Sequence, residues 1–391
     1  VLEGTGYFER AGPQPVEISL APDEGTMRDV IVNVKEGLTG MLMLGAGLSS
    51  QSGVIGQISL RERNFDIGNP PSSLKDLFGG NAFRGGGQEL VLRLSLGSEQ
   101  SAFRVSFFDP SIGHSPHSFG TDIFSTITSW EEFDLNRTGG KLLFGKKTGR
   151  HITRQLEVGY ENIDVEDMED DAPPEIQRDD DDFQRPYVSV TVKKDTRNRG
   201  LQPSEGYMAS LTGEVAFSDI EIVKLIGEYK HYWTTRVLEN ERKHILQMRA
   251  RAGVIDSYSD ERIPVFERFY AGGIDSLRGF ERWGVSPVEP VDEEQIGGES
   301  LLTGSLEYSV PGFSENLRLA AFVDAGYVEE EAEDLLNGWD KLRLSTGAGI
   351  RWLVPALGGM PIHVDVAVPL MEEEEDETET VHFTLGVGHA F

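Results

Sequence analysis

From about Leu38 to the last of 391 residues, apolar and polar positions alternate with a period of two. That is the spacing at which successive side chains of a strand point to opposite faces. In 89-ELVLRLSLG-97, Leu90, Leu92, Leu94 and Leu96 share one face, while Arg93 and Ser95 share the other. In 341-KLRLSTGAGIRWL-353, Leu342, Leu344, Thr346, Ala348, Ile350 and Trp352 oppose Arg343, Ser345, Gly347, Gly349 and Arg351. The segment 361–370 sets Ile362, Val364, Val366, Val368 and Leu370 against His363 and Asp365. The last one sets Val381, Phe383, Leu385, Val387 and Phe391 against His382, Thr384 and Gly386. The pattern predicts sixteen strands, near 38–48, 54–64, 87–97, 101–109, 117–129, 136–147, 150–163, 184–195, 206–217, 221–235, 242–257, 299–310, 316–328, 341–353, 360–370 and 380–391. Most are about ten residues or longer, the length a tilted strand needs to cross a bilayer. No amphipathic helix interrupts the series. The expected fold class is therefore all-β, a sixteen-stranded antiparallel transmembrane barrel. A soluble sandwich or propeller would show shorter strands and a repeating spacing. Lipid also demands closure, because an open edge leaves backbone groups unsatisfied in hydrocarbon.

Charge sharpens the topology. Lys and Arg number 36 and Asp and Glu 66, a formal charge of −30, which excludes a nucleic-acid partner. Of the 66 acids, 28 fall in four runs, at 164–182, 289–299, 328–334 and 371–379. These runs follow the seventh, eleventh, thirteenth and fifteenth strands. All four numbers are odd, so in an up-and-down barrel the runs emerge at one end. Shorter links bearing Pro or Gly, near 110–114, 310–313 and 353–359, fall at the other. Long loops at one end and short turns at the other is the asymmetry of an outer-membrane barrel. The insertion at 66–88 breaks this rule, being long and at the short-turn end. The chain opens at Val1 in sequence that reads as mid-domain.

The search for chemistry is mostly negative. There is no cysteine, so disulfides and thiolate metal sites are excluded. No Gly-x-Ser-x-Gly elbow, Walker loop or His-Glu-x-x-His occurs. The 85-GGG-87 run lacks the lysine of a phosphate cradle. His114 and His117 lie three apart in a turn with no third ligand, and no acidic run has EF-hand spacing. We expect no enzyme, no cofactor and no metal.

One segment stands out. The link at about 258–298 has ~40 residues, far beyond an ordinary hairpin connection and of the length usually tied to function. Within it, 269-FYAGGIDSLRGFERW-283 carries Arg278 between a leucine and Gly279-Phe280. In the next strand Leu302, Leu306, Tyr308 and Val310 make an apolar face, turning Glu307 inward with Thr303, Ser305 and Ser309. In the one after, Leu317, Leu319, Ala321, Val323 and Ala325 are expected to face lipid, turning Asp324 inward with Arg318 and Phe322. A guanidinium folded into the lumen would suit this carboxylate pair. With no nucleophile nearby, the arrangement reads as a structural latch.

The segment 272-GGIDSLRGF-280 resembles the loop-six Arg-Gly-Phe/Tyr signature of the BamA-type outer-membrane insertase superfamily. The segments 304-GSLEYSVP-311, 322-FVDAGYV-328, 346-TGAGIRWLVP-355 and 383-FTLGVGHAF-391 match that family's barrel segments in order, and 195-DTRNRGLQPSEGY-207 and 60-LRERNF-65 resemble earlier ones. Residues 1–36 resemble the tail of the last POTRA domain, the periplasmic module before the barrel, leaving 37–391 as the barrel. The resemblance implies that Arg278, Gly279 and Phe280 form the loop-six latch, with Glu307 and Asp324 as wall partners. It also implies a weak seam between first and last strands that opens sideways to template client barrels. Gly40, Gly45 and Gly47 on the first strand, and Gly386 and Gly388 on the last, fit a weak seam on their own account, because glycine loosens a strand. Phe391 resembles the terminal aromatic by which such barrels are recognised. The implied setting is the bacterial outer membrane, with the POTRA side in the periplasm. The implied partners are unfolded outer-membrane protein clients, accessory periplasmic lipoproteins or other subunits of the assembly machinery, and outer-membrane lipid and lipopolysaccharide. The alternatives are a TamA-like assembly factor and a two-partner-secretion transporter passing a polypeptide through the lumen.

Overall fold

The computed structural model describes residues 16–20, 30–34 and 37–386, apart from 38, 51, 74, 77–81, 201, 260, 291–293 and 355–359. Strands β1 (Val16–Leu20) and β2 (Val30–Val34) pair as an antiparallel ribbon. Sixteen further strands close a barrel in chain order. They are β3 (Gly40–Ser49), β4 (Gly53–Phe65), β5 (Gln88–Gly97), β6 (Gln100–Asp109), β7 (His117–Ser129), β8 (Asp134–Thr148), β9 (Ile152–Glu166) and β10 (Asp182–Asp195). The second half comprises β11 (Gly206–Ala216), β12 (Ile222–Val237), β13 (Lys243–Ser257), β14 (Ser300–Pro311), β15 (Leu317–Glu329), β16 (Arg343–Val354), β17 (Met360–Met371) and β18 (Val381–Gly386). Every neighbouring pair is antiparallel, and β18 returns to β3. Each strand read from the alternation is present, its ends moved by a few residues. The stretch 387–391, with Gly388 and Phe391, lies outside the described residues, as does most of 1–36.

The alternation sorts the two faces. Outward positions stay exposed although they are apolar: Leu44 is 72% exposed, Ile123 61% and Val368 52%. Inner-face positions, such as Ser59, Ser305, Ser345 and Asp365, are buried. A girdle of bare aliphatic side chains around a whole barrel is far larger than a water-facing surface tolerates. Its solvent is lipid. A row of rings, Phe65, Phe107, Phe119 and Phe144, follows the short-turn rim with centroids 5.4–6.5 Å apart. The insertion after β4 turns back so that Phe83 stacks on Phe65 at 5.3 Å and extends the row. Aromatic girdles of this kind sit at the headgroup level.

The lumen is not uniformly polar. Towards the long-loop end the inward residues Ile163, Val165, Ile222, Ile255 and Leu301 are buried against Phe266, Phe269, Leu277, Phe280 and Val285 of the long link between β13 and β14. An apolar core thus lies inside the barrel because a loop fills it. One facing differs from expectation. Leu317, assigned to the lipid face, is only 5% exposed. At the turn before β15 its side chain lies so close to Gly312 that a Cβ there would come within 2.8 Å of it.

Candidate functional site

The link between β13 and β14, loop six, enters the lumen as a distorted hairpin. Phe269 and Gly298 exchange both backbone hydrogen bonds (2.8 and 2.9 Å), and so do Ala271 and Val285 (2.9 and 3.2 Å). Its turn requires glycine at two places. Gly272 has φ +105°, and a Cβ there would lie 2.0 Å from the Glu281 carbonyl oxygen. Gly279 has φ +101° and packs against Ser345 and Pro369. A side chain at either position would meet the left-handed penalty and a wall.

This turn aims Arg278 at the wall, where it is 2% exposed. Its Nε and Nη2 donate to the two oxygens of Asp324 at 2.7 and 2.8 Å. Nη1 donates to Glu307 Oε2 at 2.9 Å, and Nη2 also reaches Ser305 Oγ at 3.1 Å. The guanidinium carbon lies 3.3 Å from the Phe322 ring centroid. The structure therefore brings Arg278, Glu307 and Asp324 together. Two further members were not singled out in the sequence. Arg351 donates to both Glu307 (2.8 Å) and Asp365 (2.6 Å), so two cations share three carboxylates. The alternation had put Arg351 and Asp365 on the inner face, but nothing in it says that β16 and β17 bring them to this point. Next to Arg278, the Gly279 amide donates to His382 Nε2 at 2.7 Å, and Phe280 is fully buried in the lumen core.

Loop six has a second anchor of opposite sign, which no sequence signal announced. Glu267, 3% exposed, lies among Lys224 (2.9 Å), Arg137 (3.0 Å) and Arg185 (3.4 Å) from β12, β8 and β10. Lys224 also donates to the Glu267 backbone carbonyl at 2.9 Å. The loop thus places a cation among wall acids in one sector of the barrel and an acid among wall cations in another. Each charge alone would be costly to bury, and each is neutralised where it sits.

The long loops close over this core. Trp130, in the link after β7, stacks on Trp283 at 3.9 Å. Glu175 accepts from Arg268 at 2.7 Å, and Asp179 accepts from the Val265 amide at 2.7 Å and pairs with Arg262. In the β17–β18 link, Glu377 accepts from the Glu281 amide (2.9 Å) and donates its own to the Gly284 carbonyl (3.0 Å). Asp376 receives Arg343 in a forked pair, with distances of 2.9–3.1 Å. Part of each acidic run at 164–182 and 371–379 is therefore fastening rather than solvated surface. Glu131, Glu294 and Glu377 bring carboxylate oxygens within 4.8 Å of one another. Burial and a hydrogen bond to Glu294 push Glu132 up to about 7. Burial, then the charges of Glu131, Glu281 and Glu294, push Glu377 up to about 6.

The barrel closes between its last and first strands. Strand β18 meets β3 through Thr384↔Ser49, Leu385↔Leu48 and Gly386↔Gly47. Gly47 and Gly386 thus face each other across the join. Gly40 and Gly45 pair with Glu62 and Gln57 on the β4 side.

The Omp85 superfamily domain matches residues 82–391. The chain belongs to the Omp85 superfamily. Among Omp85-related sequences, the outer membrane protein assembly factor BamA of Nitratidesulfovibrio vulgaris is 28% identical over 399 residues, covering all of this chain and 46% of that protein. The chain spans about half the length of the curated BamA relatives it matches. Their names place them in the outer membrane, and the lipid-facing barrel fits that setting. Among solved structures, BamA from Haemophilus ducreyi lacking POTRA domains 1–3 superposes with a TM-score of 0.77 at 21% identity, covering 98% of this chain and 76% of that one. CdiB from Acinetobacter baumannii reaches 0.58 at 13% identity, covering 99% and 67%. These likenesses carry the Omp85 barrel fold.

Proposed function

We propose that this Omp85 barrel is the membrane part of an outer-membrane protein assembly factor, which folds and inserts client β-barrels without chemical catalysis. The observation that carries the reading is the join between β18 and β3, where Gly47 and Gly386 face each other. Glycine facing glycine leaves no cross-strand side-chain contact to hold the join, which eases its parting. The exposed edges then offer unpaired N–H and C=O groups to an incoming strand, which is β-augmentation. Client folding supplies the driving force, and the barrel lowers the barrier. Loop six, anchored through Arg278 and Glu267, keeps the rest of the wall rigid while one join parts. It also plugs the lumen at the long-loop end, which weighs against a polypeptide route straight through the barrel.

In this reading the long acidic loops face the cell exterior and the short turns the periplasm. Residues 1–36 are the tail of a POTRA domain, and accessory lipoproteins dock at the short-turn end. The register selects the test. The Ser50 amide bonds to the Phe383 carbonyl at 3.0 Å. Ser49↔Thr384 and Gly47↔Gly386 are therefore the narrow, non-hydrogen-bonded pairs that best suit a cross-strand disulfide. Gly45 does not face Gly386, so Gly47→Cys with Gly386→Cys is the lock. In cells depending on this protein, oxidised double variant should stop client assembly and reductant should restore it. Undiminished assembly by fully cross-linked protein would remove lateral opening as the mechanism.

A further inference from the structure

Beneath the tip of loop six, the lumen widens into a cavity of about 880 Å³ that opens between the short turns. Its wall is rich in cations. The whole sequence carries −30, yet ten arginines and lysines line this space with six carboxylates, and Asp195, Glu205 and Asp324 neutralise Arg197, Lys243 and Arg278 from just behind it. Several of the cations face each other directly. Lys230 on β12 is in register with Arg249 on β13, and Arg318 on β15 with Arg351 on β16. Like charges directly opposite in an antiparallel pair destabilise it. Arg351 is committed to Glu307 and Asp365. Arg318 and Arg242 are held by backbone carbonyls, Arg318 on Ser309 and Lys243, Arg242 on Gly312 and Ser314. Among the described residues, none of Lys230, Arg249, Arg242 and Arg318 forms an ion pair with a carboxylate. Unpaired cations on a concave wall, bounded by low-dielectric material, concentrate their field into the space it encloses.

We propose that this chamber is a binding site for a carboxylate-rich stretch of extended polypeptide entering from the short-turn end. The chamber sets Lys230 opposite Arg249 and Arg318 opposite Arg351, and an acidic segment would relieve that repulsion. Its volume lies high in the range of ligand pockets, enough for a few residues of chain. A lipid headgroup is the poorer occupant, because the ladders from β10 to β17 close the wall between this space and the bilayer. The inference stands apart from the assembly reading, since binding is measured on the purified barrel without any client.

The test uses the whole chain folded in detergent micelles and fluorescein-labelled decapeptides alternating Glu-Ser, Gly-Ser or Lys-Ser, followed by anisotropy. The Glu-Ser peptide should bind, more weakly at 200 than at 50 mM salt on the order of tenfold, as ionic contacts require, and the other two should not. Lys230→Glu sets a carboxylate opposite Arg249, so it removes a repulsion and should leave the melting temperature equal or higher while weakening the acidic peptide at least tenfold. Arg318→Gln, a second and milder variant, should weaken it severalfold. Equal binding of the Gly-Ser peptide, or unchanged affinity in folded Lys230→Glu, would overturn the proposal. So would complete displacement of the peptide by millimolar inorganic phosphate or by phosphatidylglycerol micelles, which would mark a site for small anions or headgroups.

Discussion

Replacing Arg278 with alanine removes the one cation that Asp324 holds among the described residues, and Asp324 is completely buried. Glu307 and Asp365 keep Arg351 at 2.8 and 2.6 Å. The damage is therefore concentrated on a single stranded carboxylate. Deleting one partner of a buried, hydrogen-bonded pair costs about 3–5 kcal/mol. At about 1.36 kcal/mol per decade, loop six should leave its seat roughly a hundredfold to a few thousandfold more often. The barrel should survive, because no inter-strand ladder depends on Arg278. The absence of native cysteine allows a clean readout. In a Leu277→Cys background the introduced thiol takes a fully buried position, so maleimide labels it only when the loop lifts. Arg278→Ala should speed labelling by about two decades or more. Adding Asp324→Asn should recover part of that, since the stranded charge is then gone. Two results would refute the reasoning: a change below about threefold, or an Arg278→Ala effect of equal size with and without Asp324→Asn.

Two other perturbations address the rest of the loop. Glu267→Ala strands Lys224, whose one carboxylate partner among the described residues is Glu267, and should release the loop by a similar about 3–5 kcal/mol; unchanged Leu277→Cys labelling would show that the second anchor holds nothing. The outer carboxylates give a pH dependence with a definite sign. Glu132 and Glu377 rise from 4.5 to about 7 and about 6, so the closed loops bind protons that the released loops give up. Their contribution is full below 4.5 and fades as pH climbs through 6 to 7. Protease should nick loop six faster at pH 8 than at pH 5, and Glu132→Gln with Glu377→Gln should flatten that difference; a slope unchanged in the double variant would place its origin elsewhere.

Strand count, strand order and the odd-numbered placement of the acidic runs were all legible in the chain. They depend on a two-residue period and on counting, both local properties. The inward facing of Glu307 and Asp324 followed from the same period, and a signature around Arg278 pointed to their partner. What the period could not reveal was contact between distant segments. Arg351 and Asp365 looked like any inward residues until β16 and β17 carried them to Glu307. Glu267 looked like one acid among 66. Ile163, Ile222 and Ile255 point inward although apolar, for a reason visible only once loop six is seen to cover them. Gly47, rather than Gly45, faces Gly386 because register is set by how the closed ladder staggers, not by position along a strand. Sequence by itself determined the wall, since each strand needs only its own two faces and the next strand beside it. Tertiary structure alone decided the inside, because a buried charge is settled by whichever opposite charge closure brings within about 3 Å of it.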